Sequence, residues 1–596
     1  MNSTSALIGS MSDNPMLSLR LSVSMLAAIS RIAYYRVVPF CGHLPGIREW
    51  RFGSDRKVLE QIRGLERKPV MASDLSALYG MLARKAEPEL HATEKSFSTV
   101  EPEMRFLPPG SFADREEFLA RHRFKWLIEM TESPAVGYRL IEDWLNLEAS
   151  HCDWLPEDAY SQSERIVNWL WFIGLTGTHD RPGETFFRKL AGSFTRQIYL
   201  LLDNLEYHSS LTNNHILNNA RCIYCSGALL KMNEISEIGR GMLKSQYDRM
   251  ISNGVVQEDS SHYQMLITSW MLEALAAAHI SGDVRMKDFL SPRIGRAMQV
   301  CRALCSEYRE AFPLIGDISP DIRPEIFSGL PFCGRGQTFW QQFAERAAAD
   351  GQALIRNDFT AQVDGNSWLK LCGHCVELWV CAKVRGTQSH GHNDNGSLTV
   401  FHKGCPVVLD PGLSRYNKDR SSVRQLGSEG HNTPLLNGIP ADPDRRTMLF
   451  SGLLHSRFEP LKNDGRELVF LLHYSDGMHS LERSIEIPGH AGLKVVDRIR
   501  PGQGGKRCLE KVKYHCTWCL AGEILKIQPG GGKVIVELKN GIRLILSCER
   551  SDLQCRPGTM PSSTCYGNMT AVASVEVDCL LREQTGITVE MRFPDE

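Results

Sequence analysis

The 596-residue sequence has almost no net charge: 68 lysines and arginines stand against 69 aspartates and glutamates, a formal −1. Nothing global therefore steers it toward nucleic acid or an acidic membrane surface, and an anionic partner has to be met by local basic groups. Long apolar runs are scarce as well. Leu17 to Ala33 comes nearest, but Arg20 and Arg31 interrupt it and Tyr34-Tyr35-Arg36 follows. It is too short and too broken to form a transmembrane segment, shows no clear small-residue cleavage site, and reads as an amphipathic helix. With no recognisable export signal the expected compartment is the cytoplasm by default, the periplasm being the alternative. A compact disulfide framework is also missing, because the 18 cysteines are spread over the whole length.

Three cysteine pairs have Cys-x-x-Cys spacing: Cys222/Cys225, Cys372/Cys375 and Cys516/Cys519. Cys372-Gly373-His374-Cys375 has the form of a thiol redox motif. That motif works when a helix N-terminus lowers the thiol pKa, whereas Val376 to Cys381 has the texture of a strand. A shared zinc site is weak across such wide separations. Buried, reduced cysteines are the expectation.

The length exceeds what one hydrophobic core usually supports, so two or three domains are expected. From about 110 to 350 apolar residues recur at helical spacing in Phe118 to Met130, Ala135 to Leu147, Ser163 to Leu175, Thr185 to Glu206, Leu229 to Ile251 and Ser260 to Ile280. Serial helices without strands between them imply a bundle, a solenoid or an (α/α) toroid. Beyond about 355 the runs are short and rich in Val, Ile, Leu and aromatics: Trp368 to Val384, Leu398 to Leu409, Glu467 to Tyr474, Ser480 to Ile487, Leu493 to Arg500, Lys533 to Leu538, Ile542 to Ser547 and Ile587 to Phe593. Turn signals such as Asn463-Asp464-Gly465 and Asn540-Gly541 separate them, which predicts an antiparallel β-sandwich. The boundary falls near Gly351 to Asp358. Residues 1–110 read as a small helical piece, with the polar run Glu87 to Glu103 as a linker or surface loop. The organisation expected is thus 1–110, 111–355 and 356–596.

Ser389-His390-Gly391-His392-Asn393-Asp394-Asn395 concentrates more chemistry than any other stretch. Asp410 follows at the end of the apolar run Pro406-Val407-Val408-Leu409, and His431 heads His431-Asn432-Thr433. Two imidazoles and a carboxylate are ligand types zinc prefers, so His392, Asp410 and His431 are candidate ligands, against the plainer reading of solvent-exposed turn histidines. His-x-His on a strand sets both side chains on one face, which suits two ligands or a ligand and a neighbour. In the helical half, Thr212-Asn213-Asn214-His215 is a good helix start and also a set of amides and an imidazole able to hold an anion. Asp259 or Ser260 can cap the helix that runs to Ile280, which leaves Tyr263 in its first turn above Leu266 and Trp270. Taken alone, that tyrosine is an ordinary packed aromatic.

Together and in this order, His-Gly-His-x-Asp, Val-x-Asp-Pro-Gly, His-Asn-Thr and Asn-Asn-His resemble the heparinase II/III-like polysaccharide lyases, a superfamily that includes several alginate lyases. The resemblance covers most of residues 110–450, and Ser163 to Trp169, with Arg165 in it, looks like a segment common in members encoded beside surface-polysaccharide genes. It implies an incomplete (α/α) toroid followed by a layered antiparallel β-sandwich, and cleavage of uronic-acid polysaccharides by β-elimination in the cleft between them. The C5 hydrogen of a uronate is too weakly acidic to remove until the carboxylate charge is neutralised and the enolate-like intermediate stabilised. By resemblance, Asn214 and His215 bind that carboxylate. Tyr263 protonates the leaving oxygen and is also a candidate base. His390 takes the C5 proton or polarises the carboxylate; a group of this kind contributes typically ~10²–10⁴-fold. His392, Asp410 and His431 carry over to the ligands of one structural zinc that orients the His390 loop. Asn213, Arg165, Tyr416 and Arg424 are candidates to bind the anionic polysaccharide, and Arg415 and Arg420 lie in the same loop as the last two.

The chain departs from the family pattern in two places. Asn393 stands where a small residue is usual, and Gln264 stands where many members have His after the tyrosine. Two other readings compete. A glycoside hydrolase on a similar toroid needs two carboxylates flanking the scissile bond, for which Glu258 and Asp259 are candidates without a convincing partner. A non-catalytic carbohydrate-binding protein of exopolysaccharide assembly would keep the fold without the chemistry.

Overall fold

The computed structural model describes residues 52, 55–83, 106–129, 133–176, 181–207, 213–308, 312–321, 367–383, 390–417, 419–441, 457–463, 467–474, 479–488, 492–502, 511–530, 532–548, 553–582 and 585–594. The amphipathic stretch Leu17 to Ala33, the linker Glu87 to Glu103 and the boundary Gly351 to Asp358 lie outside them.

The first half is helical. Helices Arg56–Gly64, Ala72–Ala83, Arg115–Arg123, Lys125–Glu129, Pro134–Ala149, Ala159–Leu175, Glu184–Asp203, Asn214–Leu229, Asn233–Met250, Ser261–Ser281 and Val284–Leu304 follow one another. A short hairpin, Ile251–Ser252 with Val255–Val256, interrupts the series. Ala159–Leu175 is buried along its whole length and Ser261–Ser281 along nearly all of it. Helices buried on every side lie at the centre of the helical half, even where, as in Ala159–Leu175, Gln162, Glu164, Arg165 and Asn168 are buried with the apolar residues. The two helices before residue 84 share that core, through Leu59, Leu75, Leu78 and Leu82 packed with Trp169 and Phe172. The helical region therefore begins ahead of residue 111. One long expected helix is broken: Phe124 takes a left-handed φ of 61° and separates Arg115–Arg123 from Lys125–Glu129.

The second half is built of two eight-stranded antiparallel sheets. One runs, in spatial order, Ile524–Gly530, Lys533–Leu538, Arg543–Cys548, Gly586–Arg592, Gly492–Pro501, His479–Glu486, Glu467–His473 and Arg457–Asn463. The other contains Gln554–Cys565, Asn568–Leu581, Val512–Leu520, Cys405–Val408, Leu398–His402, Val376–Ala382 and Ser367–Gly373, with Leu435–Leu436 paired to Val512–Leu520. Alternating side chains from both sheets, such as Leu378, Val400 and Trp518 with Leu472, Ile485 and Leu544, make one apolar core. The run Trp368 to Val384 is two strands, not one, because His374 and Cys375 (φ 47° and 65°) turn the chain back. The Cys-Gly-His-Cys motif is this hairpin turn, without a helix behind it. Cys222, Cys225, Cys301, Cys381, Cys516, Cys519 and Cys579 are buried free thiols.

The halves meet across a smaller apolar cluster in which Val255, Val300, Leu304 and Ile315 pack on Trp368, Trp379, Cys381 and Phe401. A strap of residues 312–321 runs between them. Ser261 N–H donates to Ile315 O (2.9 Å), Asp317 N–H to His390 O (2.9 Å), and Ser260 Oγ to Asp317 O (2.7 Å). Gly316 has φ +78°, and a Cβ there would lie 2.6 Å from Asp259 O and 2.8 Å from His390 O. Only glycine fits between these two backbones.

Candidate active site

The helix Ser261–Ser281 starts where the chain must bring a tyrosine to the domain junction. Ser260 Oγ accepts from Tyr263 N–H (3.2 Å) as N-cap, which fixes Tyr263 in the first turn with its ring at the junction. There it meets His390 from the β-domain, ring on ring, with centroids 3.6 Å apart and planes 11° from parallel. The Tyr263 hydroxyl lies 3.0 Å from that of Tyr416. Burial pushes the Tyr263 phenol well above the usual tyrosine value, with the Tyr416 hydrogen bond pulling the other way. Burial raises Tyr416 too. Both phenols are neutral near pH 7.

Tyr416 is held by both domains. Its N–H donates to the Tyr566 hydroxyl (3.2 Å), which donates to Asp114 Oδ2 (3.0 Å) in the helical half. Arg415 beside it reaches Asp114 (3.3 Å) and Glu117 (3.2 Å).

Asn213 caps the next element of the site: its Oδ1 accepts from Ile216 N–H (3.1 Å) at the start of Asn214–Leu229. Asn214 N–H donates to Glu258 Oε1 (3.1 Å), and Glu258 Oε2 lies 3.9 Å from His390 Nε2. Glu258 thus links the Asn-Asn-His helix to the His-Gly-His loop. The His215 side chain, 46% exposed, is paired through Nδ1 with Glu206 Oε1 (2.8 Å) and packs on Tyr160 (4.8 Å between centroids). Desolvation in the cleft lowers its pKa but Glu206 outweighs this, so the net shift is upward.

The metal-type ligands form a second layer behind His390. His431 Nδ1 lies 3.1 Å from Asp410 Oδ2 and His392 Nδ1 lies 4.0 Å from Asp410 Oδ1. Ligand atoms of the three residues all fall within 4.8 Å of one another, and all three residues are buried. Both Nδ1 atoms lack a hydrogen-bond partner, while the opposite ring nitrogens are taken: His431 Nε2 by Gln425 O (2.9 Å) and His392 Nε2 by Asp317 Oδ1 (3.0 Å). Each Nδ1 therefore presents a lone pair toward Asp410. Two buried lone pairs and a carboxylate converging on one point fit a divalent cation.

His431-Asn432-Thr433 works as a unit. Asn432 bridges the backbone of Leu398, accepting from its N–H (2.8 Å) and donating to its oxygen (2.7 Å). Thr433 Oγ1 donates to Asn395 O (2.5 Å). The buried Arg483, paired with Asp497 (2.7 Å), donates to Gly396 O (2.9 Å) and Asn432 O (2.8 Å). The ligand loops are thereby tied to the opposite sheet.

Arg165 and Arg424, both expected as substrate contacts, are engaged with groups of the protein, and Arg165 is enclosed. Arg165 is 1% exposed, donates to Gln197 Oε1 (2.8 Å), His122 O (3.1 Å) and Pro156 O (3.3 Å), and lies over Trp144 (4.2 Å). Burial presses its pKa down to about 10, so it stays cationic as a clamp inside the helical core. Arg424 donates to Thr559 O (3.0 Å) and Glu576 Oε1 (3.3 Å), pinning the helix Arg420–Leu426 to the sheet. Gln264, where an imidazole is usual, is fully buried; it accepts from Val256 N–H (2.8 Å) and donates to Gly254 O (2.9 Å), fixing the hairpin 251–256. Asn393, the other departure, donates through its N–H to Leu426 O (2.9 Å).

Sequence reasoning missed Asp317, Glu206 and Asp321. Asp317 contacts both His390 (Nδ1–Oδ2, 2.9 Å) and His392. Asp321 accepts from Tyr160 and from the buried Arg123, 3.0 Å and 2.9 Å away. The only signal of Asp317 and Asp321 is a Gly/Pro/Ser/Asp-rich loop between a helical and a β-rich half, which any linker would show, and Glu206 follows a helix end like many surface carboxylates.

Residues 375–589 match the model of the heparinase II/III-like C-terminal domain. No curated protein sequence matches the chain. Among solved structures, heparinase III is 16% identical with a TM-score of 0.59, the match covering 93% of this chain and 92% of that one. Heparan sulfate lyase HepC from Pedobacter heparinus is 13% identical with a TM-score of 0.52, covering 93% and 91%. At such identities the likeness to these structures is one of fold. Residues 375–589 therefore form a heparinase II/III-like C-terminal domain, and the likeness of fold to these structures extends over the rest of the chain.

Proposed function

We propose that the protein is a polysaccharide lyase that cleaves a uronic-acid-containing polysaccharide by β-elimination. On this reading the helical half is an incomplete (α/α) toroid, the two sheets are the layered β-sandwich, and the polymer lies in the cleft between them. The observation that carries the proposal is the stack of Tyr263 on His390, an acid and a base candidate brought from opposite domains to one point.

The uronate carboxylate is held by Asn214 and by a protonated His215, whose raised pKa suits it to neutralise that charge. With the carboxylate neutralised, the C5 proton is acidic enough to be removed. His390 carries its own proton on Nδ1, facing Asp317, and its Nε2 lone pair takes the C5 proton. The electron pair from C5–H forms the C4–C5 double bond as the C4–O bond breaks. Tyr263, held neutral by burial, gives its proton to the leaving oxygen. Tyr416, 3.0 Å away, donates to the resulting phenolate until solvent returns the proton that His390 has taken. His392, Asp410 and His431 would hold a zinc ion, whose part would be structural, bracing the loop that carries His390.

The test is ultraviolet absorbance of the conjugated unsaturated uronate during incubation with a panel of uronate polymers. Rising absorbance supports elimination; new reducing ends without absorbance mean hydrolysis, and no cleavage means a binding protein.

A further inference from the structure

Asp317 comes from neither the tyrosine helix nor the ligand loops, but from the strap between the domains. It is 2% exposed, and each of its two oxygens takes one imidazole: Oδ2 lies 2.9 Å from His390 Nδ1 and Oδ1 lies 3.0 Å from His392 Nε2. An ionised carboxylate only accepts hydrogen bonds, so both facing nitrogens carry protons. A neutral imidazole with one nitrogen protonated has a lone pair on the other. For His390 that lone pair is on Nε2, beside the Tyr263 ring; for His392 it is on Nδ1, directed at Asp410 and His431. We propose that Asp317 is a positioning residue that sets the tautomer of His390 and His392 at once, so that one carboxylate couples the reacting imidazole to the metal-ligand layer.

The strap holds Asp317 rigidly enough to do this. Its own N–H donates to His390 O (2.9 Å), its carbonyl accepts from Ser260 Oγ (2.7 Å), and Ser319 N–H donates to His262 Nδ1 (2.7 Å). Gly316 lets it lie against both Asp259 and His390. The chain therefore threads one acceptor pair between two histidines that the sequence separates by a single glycine. The inference rests on the lyase reading for what His390 does and on the three-donor site for what His392 does.

The experiment is Asp317→Asn, with Asp317→Glu as its partner. The amide has the same shape but offers one acceptor and one donor, so one imidazole must move its proton to the nitrogen where its lone pair was needed. We measure kcat and KM on the uronate polymer cleaved by the wild type and, separately, the affinity for added zinc by chelator competition. For Asp317→Asn the expectation is a kcat loss of about 10²-fold with KM changed less than about threefold, or a zinc affinity lowered about tenfold or more, with Asp317→Glu recovering part of the loss. In a His390→Gln background, Asp317→Asn should lower kcat far less than in the wild type, because both act through one imidazole. Unchanged kcat and unchanged zinc affinity in folded Asp317→Asn overturn the proposal. If Asp317→Asn does not fold, Asp317→Glu decides by the same two readouts, with a loss in either supporting the proposal and none overturning it. A wild type that cleaves no uronate polymer but loses zinc affinity with Asp317→Asn ends the lyase reading and leaves the coupling standing. An active lyase indifferent to Asp317→Asn does the reverse. A wild type with neither activity nor zinc affinity overturns both.

Discussion

His390 lies flat on Tyr263, with ring centroids 3.6 Å apart, although one belongs to the β-domain and the other to the first turn of a helix in the other half. Neither half contains the pair alone. The geometry of the pair is therefore a property of the domain junction, held by the strap 312–321, by the Arg415 ion pairs to Asp114 and Glu117, and by the apolar cluster around Trp368 and Trp379.

The pH dependence of substrate binding should follow His215. Its pKa is raised by Glu206, so the cationic form persists above the ordinary value of about 6.5. Binding of a uronate carboxylate is then fully present at lower pH and is lost as pH rises through the raised pKa. KM should climb along that limb, and Glu206→Gln should move the limb to lower pH. Tyr263, shifted upward by burial, should contribute no alkaline limb below about pH 10. A pH profile of KM and kcat for the two proteins checks both statements.

Removing a bound metal should cost stability as well as activity. Without an ion, His392 Nδ1 and His431 Nδ1 are buried acceptors with no hydrogen bond. A ligand present at a thousand times its Kd stabilises the native state by about 4 kcal/mol. Thermal melts with and without a strong chelator should differ by several degrees, added zinc should restore the melt, and His431→Ala should behave like the chelated protein.

Arg165→Met should damage folding and spare binding. It would leave the acceptors on Gln197, His122 and Pro156 without their donor, and an unsatisfied buried group costs about 1–3 kcal/mol. Chemical denaturation should show a loss of about 3 kcal/mol or more, while KM of the folded fraction stays within twofold, about 0.4 kcal/mol. A KM rise without a stability loss would restore Arg165 to the substrate.

Gly316→Ala should be among the most damaging single-methyl additions in the chain. Its Cβ would meet two backbone oxygens at 2.6 and 2.8 Å, neither of which can rotate away, and φ +78° is itself unfavourable for alanine by about 1–2 kcal/mol. We expect about 2–4 kcal/mol lost in denaturant unfolding, with kcat falling because Asp317 and His390 move with the strap.

The sequence made some of this site readable. His392, Asp410 and His431 stood out as zinc-type donors, against the plainer reading of exposed turn histidines, and the structure buries all three with ligand atoms within 4.8 Å of one another. The first-turn position of Tyr263 was legible from the capping serine, but on its own it read as a packed aromatic and only the family resemblance singled it out. Asp317 was not, since one aspartate in Gly316-Asp317-Ile318-Ser319-Pro320 resembles any turn, and only tertiary packing sets it between two histidines. Arg165 misled for the opposite reason: it sits in a helix buried on every side, where no polar face exists to signal which way a charge points. The strand Gln554–Cys565 carries two prolines and a glycine, a composition tolerated because it lies at a sheet edge. Gln264 reads as a lost imidazole until the hairpin it holds is seen.

The central claim is that Tyr263 protonates the leaving oxygen in an elimination. The direct measurement is ultraviolet absorbance of the unsaturated product formed from uronate polymers by the wild type and by Tyr263→Phe. Phenylalanine keeps the ring that packs on His390 and gives up only the contact to the Tyr416 hydroxyl (3.0 Å), so the substitution should leave the fold intact. The account predicts a rising signal with the wild type and a kcat lowered by about 10²–10⁴-fold in the variant. Full activity in Tyr263→Phe, or chain cleavage by the wild type without an unsaturated product, would contradict it.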